Sequence, residues 1–200
     1  MGVALLIALG VVALRRHHHG RPRPSPAAVA GALASRRQLG RGPGFRPLAR
    51  GPAVVAARSV DGMGCVGAPR IAYAAHVEVF AGGHVVAVPA GIGEAPPLRV
   101  DGAYVRGARC GYPLRTTEPT GLILISPGPT RPLADLFALW GQPLGADRLA
   151  GFPGRVRGYL DGRLWRGPIG ALPLSRHAAI SLEVGAFVPP HPRYLFPDGL

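Results

Sequence analysis

The chain lacks lysine altogether, has only two cysteines, and has no Asp or Glu among its first 58 residues. Two cysteines are too few for a disulfide-rich scaffold or for a zinc site made of four thiolates. Charged residues are also scarce, at 16% of the chain, whereas 48% of the residues are hydrophobic. Because disordered chains are poor in hydrophobic residues, this composition excludes a chain that is disordered throughout. The 200 residues allow one domain and a tail.

The positive charge is concentrated at the N-terminal end. The formal net charge is +13, and all 23 side chains counted as Lys or Arg are arginines. Residues 1–58 contain ten arginines and no acid, whereas residues 59–200 contain thirteen arginines and all ten acids. The second part is nearly balanced, so the net charge does not indicate that it binds nucleic acid.

An apolar run covers residues 3–14 and is followed by Arg15 and Arg16. It has the length of a signal-peptide core and is shorter than the roughly 20 residues that span a bilayer. We expect an apolar helix that anchors the chain in a membrane or directs its export. By the positive-inside rule, arginines after the run would hold the next segment in the cytoplasm, so the orientation stays open.

Residues 15–58 are rich in Pro, Gly, Ala and Arg, and they include a triplet at His17, His18 and His19. Blocks of like charge between helix breakers are typical of disordered linkers. Clustered arginines can also bind a polyanion by releasing counterions from its phosphates. The candidates are Arg15, Arg16, Arg36 and Arg37. Single-strand binders add aromatic stacking platforms, which this segment lacks apart from Phe45. We therefore predict a linker, with cytoplasmic nucleic-acid binding as an alternative.

Three segments of residues 59–200 have the pattern of strands. Residues 71–80 are rich in β-formers and place His76 and Glu78 on the same face of an extended chain. Residues 121–126 form a short apolar run, which is typical of a strand buried on both faces. Residues 178–184 alternate apolar and polar side chains, which predicts a strand with one buried face.

Turn and helix signals separate these strands. Gly-Gly at residues 82–83 and Asp-Gly at residues 161–162 predict two-residue hairpin turns, the second of type I′. One short helix is predicted, with Thr130 as its N-cap and Gly141 at its end. Residues 189–200 are expected to lie on the domain as an extended tail. The fold class is therefore mainly β: a small antiparallel sheet or sandwich-like domain with one short helix, with α+β as the alternative.

The two cysteines, Cys65 and Cys110, lie 45 positions apart. In an oxidising compartment they could form a disulfide, worth about 4 kcal/mol on the chain-entropy account. Two buried thiols in a cytosolic protein are the alternative. A membrane or export signal favours the disulfide.

Several strings in residues 60–200 carry a family resemblance. They are Asp-Gly-Met-Gly-Cys at 61–65, Val-Pro-Ala-Gly-Ile-Gly at 88–93, Leu-Trp-Gly-Gln-Pro-Leu at 139–144, residues 169–174, His177, and Phe-Pro-Asp-Gly-Leu at 196–200. On these strings the chain resembles an uncharacterised family of bacterial membrane-anchored, extracytoplasmic proteins. The Trp-Gly-Gln-Pro-Leu string is the most specific of them. The resemblance implies a location at the cell membrane, with the domain on its extracytoplasmic side.

Typical members of that family carry His-x-His-x-His, Leu-His-Thr-His-Asp and Gly-Ile-Ile-His-Val-Glu motifs. Alternating histidines share one face of a strand, so the resemblance implies a scaffold for a transition metal. In this chain the first motif, at residues 72–76, keeps only His76. The second, at residues 114–118, has Arg115 and Thr117 in place of its two histidines and ends in Glu118. The third, at residues 121–126, has Leu124 for His and Ser126 for Glu.

His76 and Glu118 therefore remain as metal candidates, with His84 as a candidate third ligand. Two ligands fall short of the three or four that a zinc site needs, and the guanidinium of Arg115 would repel a cation. We expect no cofactor, with zinc or copper as the alternative. We also expect Arg115 and Glu118 to form a solvated ion pair.

No catalytic motif accompanies these residues. The chain has no Gly-x-Ser-x-Gly string for an acyl-transfer nucleophile and no phosphate-binding loop. The sequence predicts a non-enzymatic, membrane-tethered or exported β domain. It would act as an interaction or structural module on an unknown protein partner, with a degenerate metal site. An extracytoplasmic transition-metal-binding protein is the first alternative, and cytoplasmic nucleic-acid binding through the Arg-rich leader is the second.

Overall fold

The computed structural model describes residues 59–200. The predicted membrane segment at residues 3–14, the linker at 15–58 and the four polyanion candidates lie outside the described residues. Residues 59–200 form one helix (α1), one 3₁₀ turn and fifteen short strands, which confirms the prediction of a mainly β fold. In this part of the chain no helix is both long and apolar enough to cross a membrane.

The strands are β1 (Ser59–Val60), β2 (Met63–Gly64), β3 (Tyr73–Ala81), β4 (His84–Val86), β5 (Glu94–Ala95), β6 (Arg99–Asp101), β7 (Tyr104–Gly107), β8 (Cys110–Gly111), β9 (Leu114–Arg115), β10 (Leu122–Ile125), β11 (Arg148–Leu149), β12 (Phe152–Pro153), β13 (Val156–Leu160), β14 (Arg163–Leu164) and β15 (Ala179–Val184). The helix α1 is Leu133–Trp140, and the 3₁₀ turn is Ile169–Ala171.

Seven strands form the main sheet in the order β14-β13-β15-β3-β10-β9, and β4 also pairs with β3. The longest strand, β3, lies at its centre. The remaining strands form four two-stranded ribbons. The pairing of β3 with β15 is parallel and the other pairings of the main sheet are antiparallel, so this sheet is mixed. Parallel neighbours need a long connection, and no local pattern in either strand reveals their relative direction.

Both predicted hairpin turns are present. Gly82 and Gly83 join β3 to β4 with φ angles of 60° and 82°. Asp161 and Gly162 join β13 to β14 with φ angles of 51° and 77°. Positive φ at both central residues is the requirement of a type I′ turn, and Asp-Gly meets it at little steric cost.

Helix α1 begins later than its predicted cap. Pro132, in an extended conformation, is the residue before its first turn, and no side chain caps that end, so Thr130 is not the N-cap. The end was predicted correctly, because Gly141 has a left-handed conformation (φ 66°) and its N–H bonds the carbonyl of Ala138. The helix buries Leu136, Phe137 and other apolar side chains in the core.

The main sheet is covered on both faces. One face carries the large apolar core with α1, and Val77, Ile123 and Leu182 lie on that side. The opposite face carries a smaller apolar cluster of Ala74, Leu122, Leu124 and Tyr194, to which the last residues of the chain contribute. All six residues of β15 are buried, so the prediction that only one of its faces is buried was wrong. The reason is the C-terminal segment (residues 185–200), which lies on the second face. Residues 189–200 were predicted to lie on the domain as a tail, and they do so.

Candidate functional site

Polar side chains form a buried row on the second face of the main sheet. Strand β3 contributes His76 and Glu78, and β15 contributes Ser181 and Glu183. The parallel register places Ser181 beside Glu78, and the Oγ of Ser181 donates to Oε2 of Glu78 over 3.1 Å. Tyr159 of β13 lies opposite Ser181 on the other side. We call these five residues the polar face.

Glu183 is the most buried acid of the polar face, at 1% exposure. Its carboxylate accepts hydrogen bonds from Nε of Arg157 (2.5 Å), the hydroxyl of Tyr159 (2.8 Å) and the backbone N–H of Val188 (2.8 Å). The bond to Glu183 raises the pKa of the Arg157 guanidinium. Burial, and then the bond to Glu183, raises the pKa of the Tyr159 hydroxyl. Three donors on one carboxylate satisfy a charge that would otherwise be costly to bury.

The C-terminal segment contributes His191 to this site. Its Nδ1 lies 2.9 Å from Oε2 and 3.0 Å from Oε1 of Glu78. The hydrogen bond to Glu78 raises the pKa of His191, and burial of the ring opposes that shift. The protonated imidazole is therefore the form that the carboxylate stabilises, and this pair attaches the segment to the central strand.

His76 is held by structural contacts. Its Nε2 lies 2.8 Å from the carbonyl oxygen of Thr120, and its ring stacks on the ring of Tyr194 with centroids 3.8 Å apart. Glu118 accepts a hydrogen bond from the hydroxyl of the same threonine. The two metal candidates are thus linked through one residue. His84 begins β4, which pairs with the opposite end of β3, so it does not join them. In residues 59–200 no group of three or more His, Cys, Asp or Glu side chains could hold a metal ion.

Three positions of the predicted metal motifs, residues 74, 115 and 124, lie side by side. Leu124 of β10 pairs with Ala74 of β3 on one side and with Arg115 of β9 on the other. His76 lies two residues beyond Ala74 and therefore on the same face. The motifs thus converge on one place in the fold, but here alanine, leucine and arginine fill it. The rings of Tyr194 and Phe196 pack against its apolar part.

Arg115 does not form the expected solvated pair with Glu118. It is buried, and its Nε lies 3.5 Å from Oε1 of Glu94 while its Nη2 donates to the carbonyl of Pro69 over 2.9 Å. Burial raises the pKa of Glu94 by more than the charge of Arg115 lowers it, and burial lowers the pKa of Arg115. Desolvation therefore outweighs attraction in both pKa shifts, and the contacts of Arg115 are structural ones within the domain.

The predicted disulfide is present. Cys65 and Cys110 are bonded, with their Cα atoms 5.5 Å apart. The bond connects the residue after β2 to the first residue of β8, and two backbone hydrogen bonds between Val66 and Gly111 flank it. The alternative of two independent thiols was wrong.

Comparison of the chain with protein-family models, with curated proteins and with solved structures finds no match. No enzyme family or relative therefore indicates a catalytic activity.

Together with His191, the polar face has the residue types of a hydrolytic triad but not its order. Ser181 and His191 both bond to the carboxylate of Glu78, so the carboxylate lies between them. Acyl transfer needs the histidine between the nucleophile and the acid, because the imidazole must take the hydroxyl proton. Ser181 is also buried. These hydrogen bonds to Glu78 join β15 and the C-terminal segment to β3. Sequence reasoning missed the roles of His191 and Glu183. The signal for Glu183 was its alternation with apolar residues in β15, whereas His191 lies outside the strands and had no such signal.

Proposed function

We propose that the chain is a non-enzymatic, membrane-tethered or exported β domain that serves as an interaction or structural module and retains a degenerate metal site. The observation that carries the proposal is the register of Ala74, Leu124 and Arg115. These positions come together next to His76, as a site would require, yet none of the three side chains is a good metal ligand.

The surroundings of these positions support the same proposal. The alkyl groups of Ala74 and Leu124 offer no lone pair, and the guanidinium of Arg115 carries the same charge as a metal cation. The Tyr194 ring covers the imidazole of His76. An ion entering this place would have to displace the C-terminal segment and gain only one imidazole.

Metal titration of the full chain tests the proposal. The background variant has His17, His18 and His19 replaced by Ala, because a histidine triplet can bind transition metals weakly by itself. We expect no stoichiometric zinc or copper in this background. Tight binding in this background, abolished by His76→Ala, would instead establish the metal-binding alternative with His76 and Glu118 as ligands.

A variant with added histidines tests whether these positions can form a metal site. Ala74→His, Arg115→His and Leu124→His, combined in the same background, add three imidazoles beside His76. Because four nitrogen ligands suit zinc, we expect one zinc ion per chain at micromolar or tighter affinity. The matched control adds His76→Ala to this variant and should bind more weakly. Far-ultraviolet circular dichroism checks that each variant is folded.

Two features support the proposed location at the cell membrane with the domain outside. The apolar run at residues 3–14 is typical of an anchor or export signal, and the Cys65–Cys110 disulfide is typical of an oxidising compartment. A reporter fused after Leu200, active only outside the cytoplasm, tests this location. If the reporter is inactive and the chain is retained on DNA in a salt-dependent manner, the Arg-rich leader is the functional part.

A further inference from the structure

A groove of about 460 Å³ opens beside β13, between that strand and the chain that follows β14. Its lining includes three arginines, Arg155, Arg157 and Arg166, together with the indole of Trp165 and the side chain of Ile169. No acidic side chain is among the described residues that line it. A volume of this size lies within the range of small-molecule sites in proteins.

The three arginines differ in how their charge is used. Arg157 is held by its ion pair with the buried carboxylate of Glu183 and by a hydrogen bond to the carbonyl of Gly185. Arg155 and Arg166 are exposed, and neither forms a hydrogen bond or ion pair with another residue of the 59–200 domain. Two guanidinium groups with no acidic partner within residues 59–200 therefore line one concave surface.

Trp165 provides a fixed flat surface in the same groove. Its Nε1–H donates to the carbonyl oxygen of Pro168 over 3.0 Å. Gly167 lies against the indole so closely that a Cβ added there would be 3.0 Å from Nε1. The side chain is thus held in place by its own loop, which lowers the entropy lost when a ligand packs on it.

We propose that this groove binds a sugar ring that carries an acidic group, either a carboxylate or a phosphate. The apolar face of the ring packs on Trp165, and the acid pairs with Arg155 and Arg166. Guanidinium groups bind both oxyanions through paired hydrogen bonds, which accounts for arginines at the site. Such a sugar is the ligand of the interaction module proposed above, so its assignment rests on that proposed function.

Titration of the full chain with three probes tests the site. The probes are glucuronate, glucose 6-phosphate and uncharged glucose, and the readouts are calorimetry and tryptophan fluorescence. Trp165 is half-buried whereas Trp140 is fully buried, so a ligand in the groove changes the emission of Trp165. We expect glucuronate, glucose 6-phosphate or both to bind at least tenfold more tightly than glucose. The tighter of the two acids identifies the carboxylate or the phosphate as the preferred group. Equal binding of all three probes, or no binding of either acid, would overturn the proposal.

Matched charge variants distinguish binding in the groove from nonspecific attraction to the positive charge of the chain. Arg155→Ala combined with Arg166→Ala should weaken binding of the acidic probe at least tenfold. Arg70→Ala combined with Arg109→Ala removes the same charge from exposed residues outside the groove and should leave the affinity unchanged. Similar losses in both double variants would show nonspecific attraction to the chain's charge and would overturn the site. Neither outcome bears on metal binding or location, so a failure here is distinct from a failure of the proposed function.

Discussion

The ring of Tyr194 lies on the ring of His76, with centroids 3.8 Å apart and planes inclined by 9°. This contact joins the C-terminal segment to the central strand of the sheet. Phe196 extends it by packing edge-on to Tyr194 and by stacking on His177. His76, one of the predicted metal candidates, therefore has a structural role in this chain as part of the surface on which the C-terminal segment lies.

Tyr194→Ala should destabilise the domain by about 3 kcal/mol. The variant loses a buried aromatic side chain and its stacking on His76, and large-to-small substitutions of buried aromatic residues cost about 3–5 kcal/mol. The midpoint of urea unfolding measures the change. The neighbouring exposed residue supplies the control, since Arg193→Ala should stay within about 0.5 kcal/mol of the parent. Equal effects of the two substitutions would show that the segment is not held by this contact.

Raising the pH should loosen the C-terminal segment through His191. The folded-state pKa of His191 is raised above its ordinary value of 6.5 by the bond to Glu78. Its stabilising contribution is therefore complete below pH 6.5 and is lost as the pH rises through the raised value.

The midpoint of urea unfolding between about pH 5.5 and 8.5 measures this dependence. His191→Gln should flatten the profile over that range, whereas His84→Gln, at an exposed position of β4, should keep the parent's profile. Ser181 also donates a hydrogen bond to Glu78, and Glu183 of the neighbouring strand β15 is paired with Arg157. A profile unchanged by His191→Gln would assign the dependence to another group.

Glu183→Gln should cost more stability than the same change at a partly exposed acid. The carboxylate of Glu183 accepts from Arg157, Tyr159 and Val188, and the neutral amide leaves the guanidinium without its counter-charge. A loss of about 1–3 kcal/mol is expected, because Glu183 is buried and loses charge-assisted hydrogen bonds, whereas the Arg157 side chain is 36% exposed and is partly screened by solvent. Glu118→Gln, which affects one hydrogen bond from Thr120, should lose less than about 1 kcal/mol. Chemical denaturation of both variants gives the comparison.

Removing the disulfide should lower stability by about 4 kcal/mol, because the bond closes a loop of 45 residues in the unfolded chain. Cys65→Ala combined with Cys110→Ala produces the loss without exposing free thiols. Dithiothreitol should destabilise the parent to a similar extent and leave the double variant unaffected. A parent that tolerates the reductant would show that the bond contributes little.

Local patterns predicted the local structure well. The hairpins at Gly82-Gly83 and Asp161-Gly162 and the helix end at Gly141 follow from residues whose backbone preferences need no distant partner. The start of α1 was missed because Pro132, at the boundary, precedes the helix without a side-chain cap. The cysteines could be paired because the chain offers only one pairing.

Pairings between distant residues were predicted poorly. Arg115 was expected to meet Glu118 three positions away, but it bonds to Glu94 across a loop. Glu183 was expected on an exposed face, but residues 185–200 cover it. In both cases a residue far away in the sequence changed the environment of a charged side chain. Alternation within a strand shows that the strand has two faces, but it does not show which segment covers each face.

The amino-acid order alone determined the mainly β class, the positions of the tight turns and the lack of metal-ligand side chains at residues 74, 115 and 124. These properties depend on residue type and on neighbours within a few positions. Tertiary structure decided that β3 and β15 run parallel, that positions 74, 115 and 124 meet beside His76, and that Arg155, Trp165 and Arg166 line one groove. Such relationships arise from packing of segments far apart in the chain, where burial of apolar surface and pairing of buried charges outweigh local preference.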